Sequence, residues 1–330
     1  MADDFLKSLM TLLGGSSAPS RPKPSLPAFS RGFRRGNVTL GRLFNSLLLR
    51  TNLSPSDLAK IASHRQTVTR RLRSAFAANR VDLIGSSCRQ SMVRGSSDVD
   101  LLLVLNVRET RWGGRLKDSD TVLNTVRLEL QDRYTTTEVG RDGQAITIYF
   151  SDGQYPIDVV PAFYKGPGLN NYPVFSVPDG QNRWMDASPQ IHNKYIGDHD
   201  RRSGGKLKNV AKLLKFWRIC RSNPIPLNSF HIELLLAQQE VCIGPKSYAH
   251  CLADAFSLLT ERQSRAIQDP NNVSGLIKAA NTTAKLQMVN AAIFSSADQA
   301  RRALAAEDEG DIQEAFRQWN LVFNGNFPRS

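Results

Sequence analysis

The first strong hydrophobic pattern in the chain is helical. Ser54-Pro55-Ser56-Asp57 supplies a capping serine, a proline at the first helical position and an acid in the first turn. The apolar side chains that follow on one helix face are Leu58, Ile61, Val68, Leu72 and Phe76. Because this spacing gives one continuous stripe, the pattern predicts a long helix that ends near Phe76.

The next apolar runs have the length and composition of β-strands. Residues 81–84 form a short run, and residues 98–105 are apolar on both faces after their first carboxylates. The second run is typical of a central strand that is covered on two sides. Further strands are predicted over residues 145–150 and 157–160, separated by an Asp152-Gly153 turn.

Helical spacing also appears between these strands and after them. Ser119 is predicted to cap a helix whose apolar stripe consists of Val122, Val126 and Leu130. From about Gly205 the spacing is helical almost to the end of the chain. This order predicts a lobe of strands and helices followed by a helical lobe.

The chain is predicted to divide into an arm and two lobes. Its 330 residues suggest about two domains. Residues 14–36 are rich in Gly, Ser, Pro and Arg and have no periodic pattern. We therefore expect a flexible basic arm over residues 1–36, the mixed lobe over 37–200 and the helical lobe over 201–330.

The composition favours a cytoplasmic protein. No run of eighteen apolar residues is present, so we expect no membrane span. The start carries Asp3 and Asp4 and does not have the pattern of a secretory signal. The four cysteines show neither CxxC pairing nor zinc-site spacing, which fits a reduced cytosol.

Positive charge is concentrated at the N-terminal end. The whole chain carries a formal net charge of +13, of which residues 1–80 contribute +11 from 14 basic and 3 acidic side chains. Such a surface suits RNA or an acidic regulatory partner. The alternative is a solvated helix face behind a disordered tail.

The residues that carry chemistry lie between Gly85 and Asp100. Side chains two apart in a strand point to the same side, so Asp98 and Asp100 present two carboxylates together at the start of a strand. Two such charges are costly unless a cation lies between them, and hard oxygen ligands favour Mg²⁺. Gly85-Ser86 permits close backbone approach and offers amide and hydroxyl donors to a phosphate.

A third carboxylate, Asp158, lies in a later apolar strand, where a shared metal site would explain it. Each feature also has a structural explanation. A D-x-D pair is often a turn or capping feature, and a lone strand aspartate is often a salt-bridge partner. The combination of Gly-Ser, D-x-D and an embedded aspartate on a later strand is much rarer than its parts.

This combination resembles the DNA polymerase β-type nucleotidyltransferase superfamily, whose signature is h-G-[GS], a short gap, D-h-[DE]-h and a later acid. Within it, the chain resembles the CD-NTases of bacterial antiphage defence, which are cyclic-oligonucleotide synthases related to cyclic GMP–AMP synthase and oligoadenylate synthase. Gln90 departs from the glycine usual in the family loop, and the likeness covers roughly residues 50–330. Further motifs in the family's order are NRW at 182–184, SPQIH at 188–192, GGKLK at 204–208, LLKFW at 213–217, LNSFHIE at 227–233, AFRQW at 315–319 and FNGNFP at 323–328.

The resemblance implies an α+β fold with two lobes: a polymerase β-like nucleotidyltransferase lobe, with a mixed sheet and a long spine helix, and a C-terminal helical nucleotide-binding lobe. It also implies that Asp98, Asp100 and Asp158 are catalytic and hold two Mg²⁺ ions, with Mn²⁺ as an alternative. The residues implied in nucleotide binding are Gly85, Ser86, Lys215, Ser229 and Phe230.

Charge spacing in the helical lobe agrees with a phosphate site. Lys208, Lys212 and Lys215 fall at i, i+4 and i+7, and ammonium groups on one stripe favour an anionic ligand. The alternative is a solvated lysine face. Ser229 is either a phosphate ligand, a helix N-cap or both, and Phe230 is either core or, as the resemblance implies, a platform for a base.

The function implied is the joining of NTPs, ATP and/or GTP, into a cyclic di- or trinucleotide second messenger with release of pyrophosphate. The cyclic product would act on a downstream effector in antiphage signalling. Two alternatives stay open. One is nucleotide transfer to an RNA end, a protein or an antibiotic, and the other is a basic nucleic-acid sensor that lacks catalysis.

Overall fold

The computed structural model describes residues 39–76, 78 and 80–329, which fall into two compact units. The first holds Leu53–Ile196 and Ile267–Lys278, and the second holds residues 39–52, Gly197–Ala266 and 279–329. The lobe boundary predicted after residue 200 lies near one of these breaks. Residues 39–52 nevertheless group with the helical unit, and Ile267–Lys278 groups with the first. The predicted arm over residues 1–36 lies outside the described residues.

The helices of the described residues are named in chain order. The first unit contains α2 (Pro55–Phe76), α3 (Gly85–Cys88), α4 (Ser119–Arg133) and most of α5 (Pro189–Arg202). The second contains α1 (Leu40–Thr51), α6 (Lys206–Ile219), α7 (Ser229–Gln238), α8 (Tyr248–Glu261), α9 (Thr283–Asp308) and α10 (Ile312–Val322).

The first unit is built on a seven-stranded mixed sheet. Its strands are β1 (Arg80–Leu83), β2 (Val99–Val104), β5 (Glu138–Asp142), β6 (Ala145–Tyr149), β7 (Ile157–Pro167), β8 (Pro173–Pro178) and β9 (Trp184–Ala187). The order is β1-β2-β7-β6-β5, with β8 paired to β7 and β9 paired to β8. Strands β2 and β7 run parallel, and the other pairs of this sheet are antiparallel. Two small hairpins pair β3 (Arg111–Trp112) with β4 (Arg115–Leu116), and β10 (Ile267–Gln268) with β11 (Leu276–Ile277).

Strand β2 separates the core of this unit from the face that carries the acids. Its odd residues, Val99, Leu101 and Leu103, belong to a buried cluster that includes the apolar stripes of α2 and α4. Because side chains alternate along a strand, the even residues that begin with Asp100 point to the opposite face. The whole strand is buried, which confirms the predicted central strand.

The second unit is held by large aromatic side chains. Phe44 of α1 contacts Trp319 of α10 and Phe327, each with ring centroids 5.0 Å apart and in edge-on geometry. Trp217 of α6 meets Phe256 of α8 at 5.1 Å. Edge-on pairs of this kind add to the free energy gained by burial of apolar area, so α1, α6, α8 and α10 form one core.

Most predicted elements are confirmed, with differences at their ends. The long helix begins at Pro55 and ends at Phe76 as predicted. The prediction that Ser119 caps its helix is wrong, because Asp118 holds the cap position and Ser119 is the first helical residue. The last predicted strand continues to Pro167, since β8 pairs with its second half. Among the described residues, no helix combines the length and apolar character needed to cross a membrane.

Candidate active site

The turn between β1 and β2 brings Gly85 against Asp100. The amide of Ile84 donates to the backbone carbonyl of Asp100 at 3.0 Å. Gly85 adopts a left-handed φ of +65°, and a Cβ atom built on it would lie 1.9 Å from Oδ2 of Asp100. No side chain fits there, so glycine is required both by its backbone conformation and by the close approach of the carboxylate.

Ser86 and Gln90 complete the short turn around α3. Ser86 is buried, and its backbone carbonyl accepts a hydrogen bond from the amide of Ser91 at 3.0 Å. Gln90 adopts a left-handed φ of +61°. This conformation favours glycine. It gives a physical reason why the resembled family usually has glycine at the position of Gln90.

Asp100 and Asp158 lie side by side on neighbouring strands. They are direct partners in the parallel pairing of β2 with β7, and their exposed fractions are only 3% and 2%. Asp98 lies one residue before β2 and is half-buried. The sheet therefore brings Asp100 and Asp158 together at the point where β2 and β7 begin, and Asp98 precedes β2 by one residue.

Thr147 orients Asp158 and was not found by reasoning from the sequence. The two residues are partners in the pairing of β6 with β7, and the Thr147 hydroxyl donates to Oδ1 of Asp158 at 2.6 Å. In the sequence, Thr147 is marked only as a hydroxyl residue between two isoleucines in an apolar strand. Its contact with Asp158 can be inferred only when the register of β6 with β7 is known.

The environment of Asp158 disfavours its charged form. Burial raises the pKa of this carboxyl to about 7, the hydroxyl of Thr147 opposes the shift, and the negative charge of Asp142 adds to it. The same group of acids affects Tyr149, whose pKa is raised first by burial and then by Asp158, Asp142 and Asp98. A cation at this position would relieve the cost of ionising Asp158.

We expect the metal-free protein to lose stability as the pH rises from the ordinary aspartate pKa of 3.8 towards about 7. In this window the folded state keeps a proton on Asp158 that the unfolded chain has already released, so unfolding is favoured by rising pH. Melting in EDTA at about pH 5 and about pH 8 measures the effect, and Asp158→Asn should reduce the drop. Equal drops in both proteins would contradict this assignment.

The acids suit a hard divalent cation. Asp100 and Asp158 are buried next to each other, which is costly without a positive charge between them, and carboxylate oxygens are ligands that Mg²⁺ prefers. Across the residues that the structure describes, no three His, Cys, Asp or Glu side chains already converge on one metal position. The fit to a cation therefore rests on the adjacent pair, with Asp98 two residues from Asp100.

The three lysines of α6 that were predicted to share one stripe, Lys208, Lys212 and Lys215, all have partners in the second unit. Lys215 forms a buried ion pair with Glu233 of α7. Lys208 lies 3.6 Å from Asp200, and Lys212 donates to the side-chain oxygen of Asn52 at 3.0 Å. Because each of these lysines contacts a protein side chain, they form neither a stripe of ammonium groups open to an anion nor a solvated lysine face.

Ser229 and Phe230 begin α7 next to that ion pair. Asn228 is the N-cap, since its side chain accepts from the amide of Phe230 at 2.8 Å, so the prediction that Ser229 caps the helix is wrong. The Ser229 hydroxyl instead accepts from the Arg218 guanidinium. Phe230 has an exposed fraction of 0%, which supports the core alternative and corrects the base-stacking role that the resemblance implies.

Lys215→Met is expected to cost about 3–5 kcal/mol of unfolding free energy, because the buried Glu233 would lose its ion pair with Lys215. The double variant Lys215→Met/Glu233→Met should regain most of this loss, as measured by urea denaturation. Calorimetry with NTP on that stable double variant then tests the phosphate role. If Lys215 contacts a triphosphate, affinity falls by about one to two orders of magnitude, and unchanged affinity assigns the residue to stability alone.

Comparison with known proteins finds related sequences. Residues 38–199 match the family model described as the Second Messenger Oligonucleotide or Dinucleotide Synthetase domain. A probable cyclic nucleotide synthase of Bacillus cereus is 24% identical over 281 residues, which cover 77% of this chain and 83% of the relative. A cyclic AMP-AMP-AMP synthase of Acinetobacter sp. is 26% identical over 271 residues, which cover 75% of this chain and 72% of the relative.

A solved structure shares the fold at low sequence identity. CdnC of E. coli MS115-1, solved with ATP, superposes with a TM-score of 0.68 at 18% identity and covers 88% of this chain and 99% of its own. At this identity the likeness concerns the fold. The α+β polymerase β-like architecture and the resemblance to the CD-NTases, both predicted from the residues, are confirmed.

Proposed function

We propose, on the premise that residues 38–199 form a domain of the Second Messenger Oligonucleotide or Dinucleotide Synthetase family, that this protein joins NTPs into a cyclic di- or trinucleotide and releases pyrophosphate. The observation that carries the proposal is the pair Asp100 and Asp158, buried in adjacent register against Gly85. A buried pair of carboxylates is costly for a fold and useful for holding the metal ions of phosphoryl transfer.

The acids have defined roles in this proposal. Asp98, Asp100 and Asp158 would hold Mg²⁺, with Mn²⁺ as an alternative ion. Bound there, the cations supply charge neutralisation at the phosphate and activation of the attacking ribose hydroxyl. The bond between Thr147 and Asp158 keeps this carboxylate turned in one direction.

Each unit contains candidate residues for binding a triphosphate. In the first unit, the candidates are Gly85 and Ser86 at the start of α3. In the second, Lys215 and Ser229 are the candidates, each now held by a protein partner, Glu233 and Arg218. ATP is the first substrate to test, since CdnC of E. coli MS115-1 was solved with it.

The decisive experiment is incubation with all four NTPs and either Mg²⁺ or Mn²⁺, followed by phosphatase treatment and mass spectrometry. A cyclic product resists phosphatase because it has no terminal phosphate, so a resistant oligonucleotide with the mass of a ring supports the proposal. Extension of added RNA, or nucleotide transfer to a protein or an antibiotic, would favour the first alternative. No turnover with any NTP would favour the sensor without catalysis. An effector that responds to the cyclic product would extend the proposal to antiphage signalling.

The basic surface on α2 suits RNA or an acidic regulatory partner. Arg65, Arg70 and Arg73 are exposed and line a groove of about 870 Å³ whose apolar side includes Val81 and Leu83. Arg71 differs, because its guanidinium contacts Glu129 and lies 3.5 Å from Asp132. The predicted contribution of residues 1–38 falls outside the described residues.

The partner proposal is tested by titration of labelled RNA at two salt concentrations, with product formation followed in parallel. Arg70→Glu/Arg73→Glu should weaken binding and flatten its salt dependence, since each phosphate contact contributes a slope of about 0.7–0.9 in log K against log salt. Arg108→Glu/Arg115→Glu, an equal charge reversal at exposed positions outside α2, is the control. Equal binding by both variants would remove RNA as the partner.

A further inference from the structure

Asp57, in the first turn of α2, is a buried carboxylate with more partners than a helix cap needs. Its exposed fraction is 5%, and it accepts from the amide and the hydroxyl of Ser54 at 2.7 and 2.6 Å. The amide of Asp57 donates back to the Ser54 hydroxyl at 3.2 Å, so the two residues form a capping box. These bonds cap the N-terminal end of α2. They do not explain two further contacts of Asp57, with Arg94 and with Tyr155.

The third partner is Arg94, in the loop that leads to Asp98. Its Nε atom lies 3.0 Å from Oδ2 of Asp57. The loop is closed around this point, because the Val93 amide donates to the Ser97 hydroxyl at 2.8 Å and the Ser96 amide donates to the Val93 carbonyl at 3.2 Å. Asp57 thus holds a compact turn whose next residue is the first acid of the site.

The fourth partner is Tyr155, three residues before Asp158. The Tyr155 hydroxyl interacts with the Asp57 carboxylate and with the Gly95 backbone. Burial, followed by the interaction with Asp57, raises the pKa of Tyr155 to about 12, so the hydroxyl stays protonated. Burial alone would raise the pKa of Asp57, but Ser54, Tyr155 and Arg94 together outweigh it and keep the pKa below its ordinary 3.8, so the group is a carboxylate.

We propose that Asp57 is a positioning residue for the acids of the active site, because it joins the turn before Asp98 and the segment before Asp158 to the start of α2. The catalytic role of those acids is part of the proposed function, and this inference rests on it. The two segments are also joined directly, since the amide of Val99 donates to the carbonyl of Pro156 at 2.9 Å. Asp57 holds both from the other end, through its ion pair with Arg94 and its interaction with the Tyr155 hydroxyl.

The alternative is that Asp57 only caps α2, and the chain offers a variant that separates the two roles. Ser54→Ala removes the capping partner and leaves Arg94 and Tyr155 in place. Tyr155→Phe removes the hydroxyl that interacts with Asp57 from the segment before Asp158 and leaves the capping box intact. Asp57→Asn weakens both, because Ser54 and Arg94 meet the same carboxylate oxygen, Oδ2, and an amide oxygen there lacks the negative charge that strengthens these contacts.

The test uses hydrogen–deuterium exchange on the metal-free full chain, followed by Mn²⁺ affinity from electron paramagnetic resonance. Tyr155→Phe and Asp57→Asn should raise amide exchange in residues 93–99 and 155–160 by about tenfold, the equivalent of one hydrogen bond. They should also weaken Mn²⁺ binding by about tenfold and lower kcat, with little change in KM for NTP. Ser54→Ala should affect the first turn of α2 alone.

Two results would overturn the inference: unchanged exchange and Mn²⁺ affinity in Tyr155→Phe and Asp57→Asn, or the same changes in Ser54→Ala. Failure of the proposed function is a separate result, because it is read from the wild-type protein as the absence of cyclic product. Exchange and Mn²⁺ binding still decide the role of Asp57 in that case, since neither measurement depends on turnover.

Discussion

Asp98→Asn/Asp100→Asn is expected to lower cyclic-nucleotide synthesis by at least about 10³-fold while the fold is retained. Metal ions supply several kcal/mol of charge stabilisation in a phosphoryl-transfer transition state, and each 1.36 kcal/mol is about a factor of ten in rate. The melting temperature in EDTA should stay the same or rise slightly, because the change removes a buried charge beside Asp158. Product yield and thermal melting measure the two effects.

A second D-x-D pair in the same unit provides a matched control for that variant. Asp118 and Asp120 flank the start of α4, and Asp120 pairs with Arg141 away from strands β2 and β7. Asp118→Asn/Asp120→Asn makes the same change in net charge and should leave synthesis within about twofold of wild type, since exposed pairs contribute little. Near-normal turnover in Asp98→Asn/Asp100→Asn would contradict the metal assignment.

The parts of the fold that were predicted correctly depend on signals local in the sequence. The start of α2 is encoded within four residues by a capping box and a proline. The acids Asp98, Asp100 and Asp158 stand out because each interrupts or begins an apolar strand, and burying a carboxylate needs a compensating reason. Such signals need no knowledge of which strands are neighbours.

The parts that were missed depend on which elements meet. Thr147 gains its role from the register of β6 against β7, and Asp57 from a loop and a turn far along the chain. The lysine spacing on α6 is correct, but Glu233 arrives from another helix to pair with Lys215. Phe230 illustrates the same limit, because the sequence allows both a core position and an exposed one.

Gly85→Ala is expected to lower turnover by about 10²-fold or more, because a displacement of about 1 Å in a reacting group has an effect of this size. The added Cβ would lie 1.9 Å from Oδ2 and 2.7 Å from Cγ of Asp100, so the carboxylate has to move. The left-handed φ of +65° adds a backbone cost of roughly 1–2 kcal/mol for any residue other than glycine.

Gly113→Ala separates the two costs of the Gly85 substitution. Gly113 lies in the turn between β3 and β4, has a left-handed φ of +57°, and an added Cβ would meet nothing within 4 Å. Both alanine variants therefore carry the backbone cost, which thermal melting reports, and only Gly85→Ala displaces an acid of the site. Turnover lost to the same extent in both variants, or in neither, would show that the contact between Gly85 and Asp100 does not set the position of the Asp100 carboxylate for turnover.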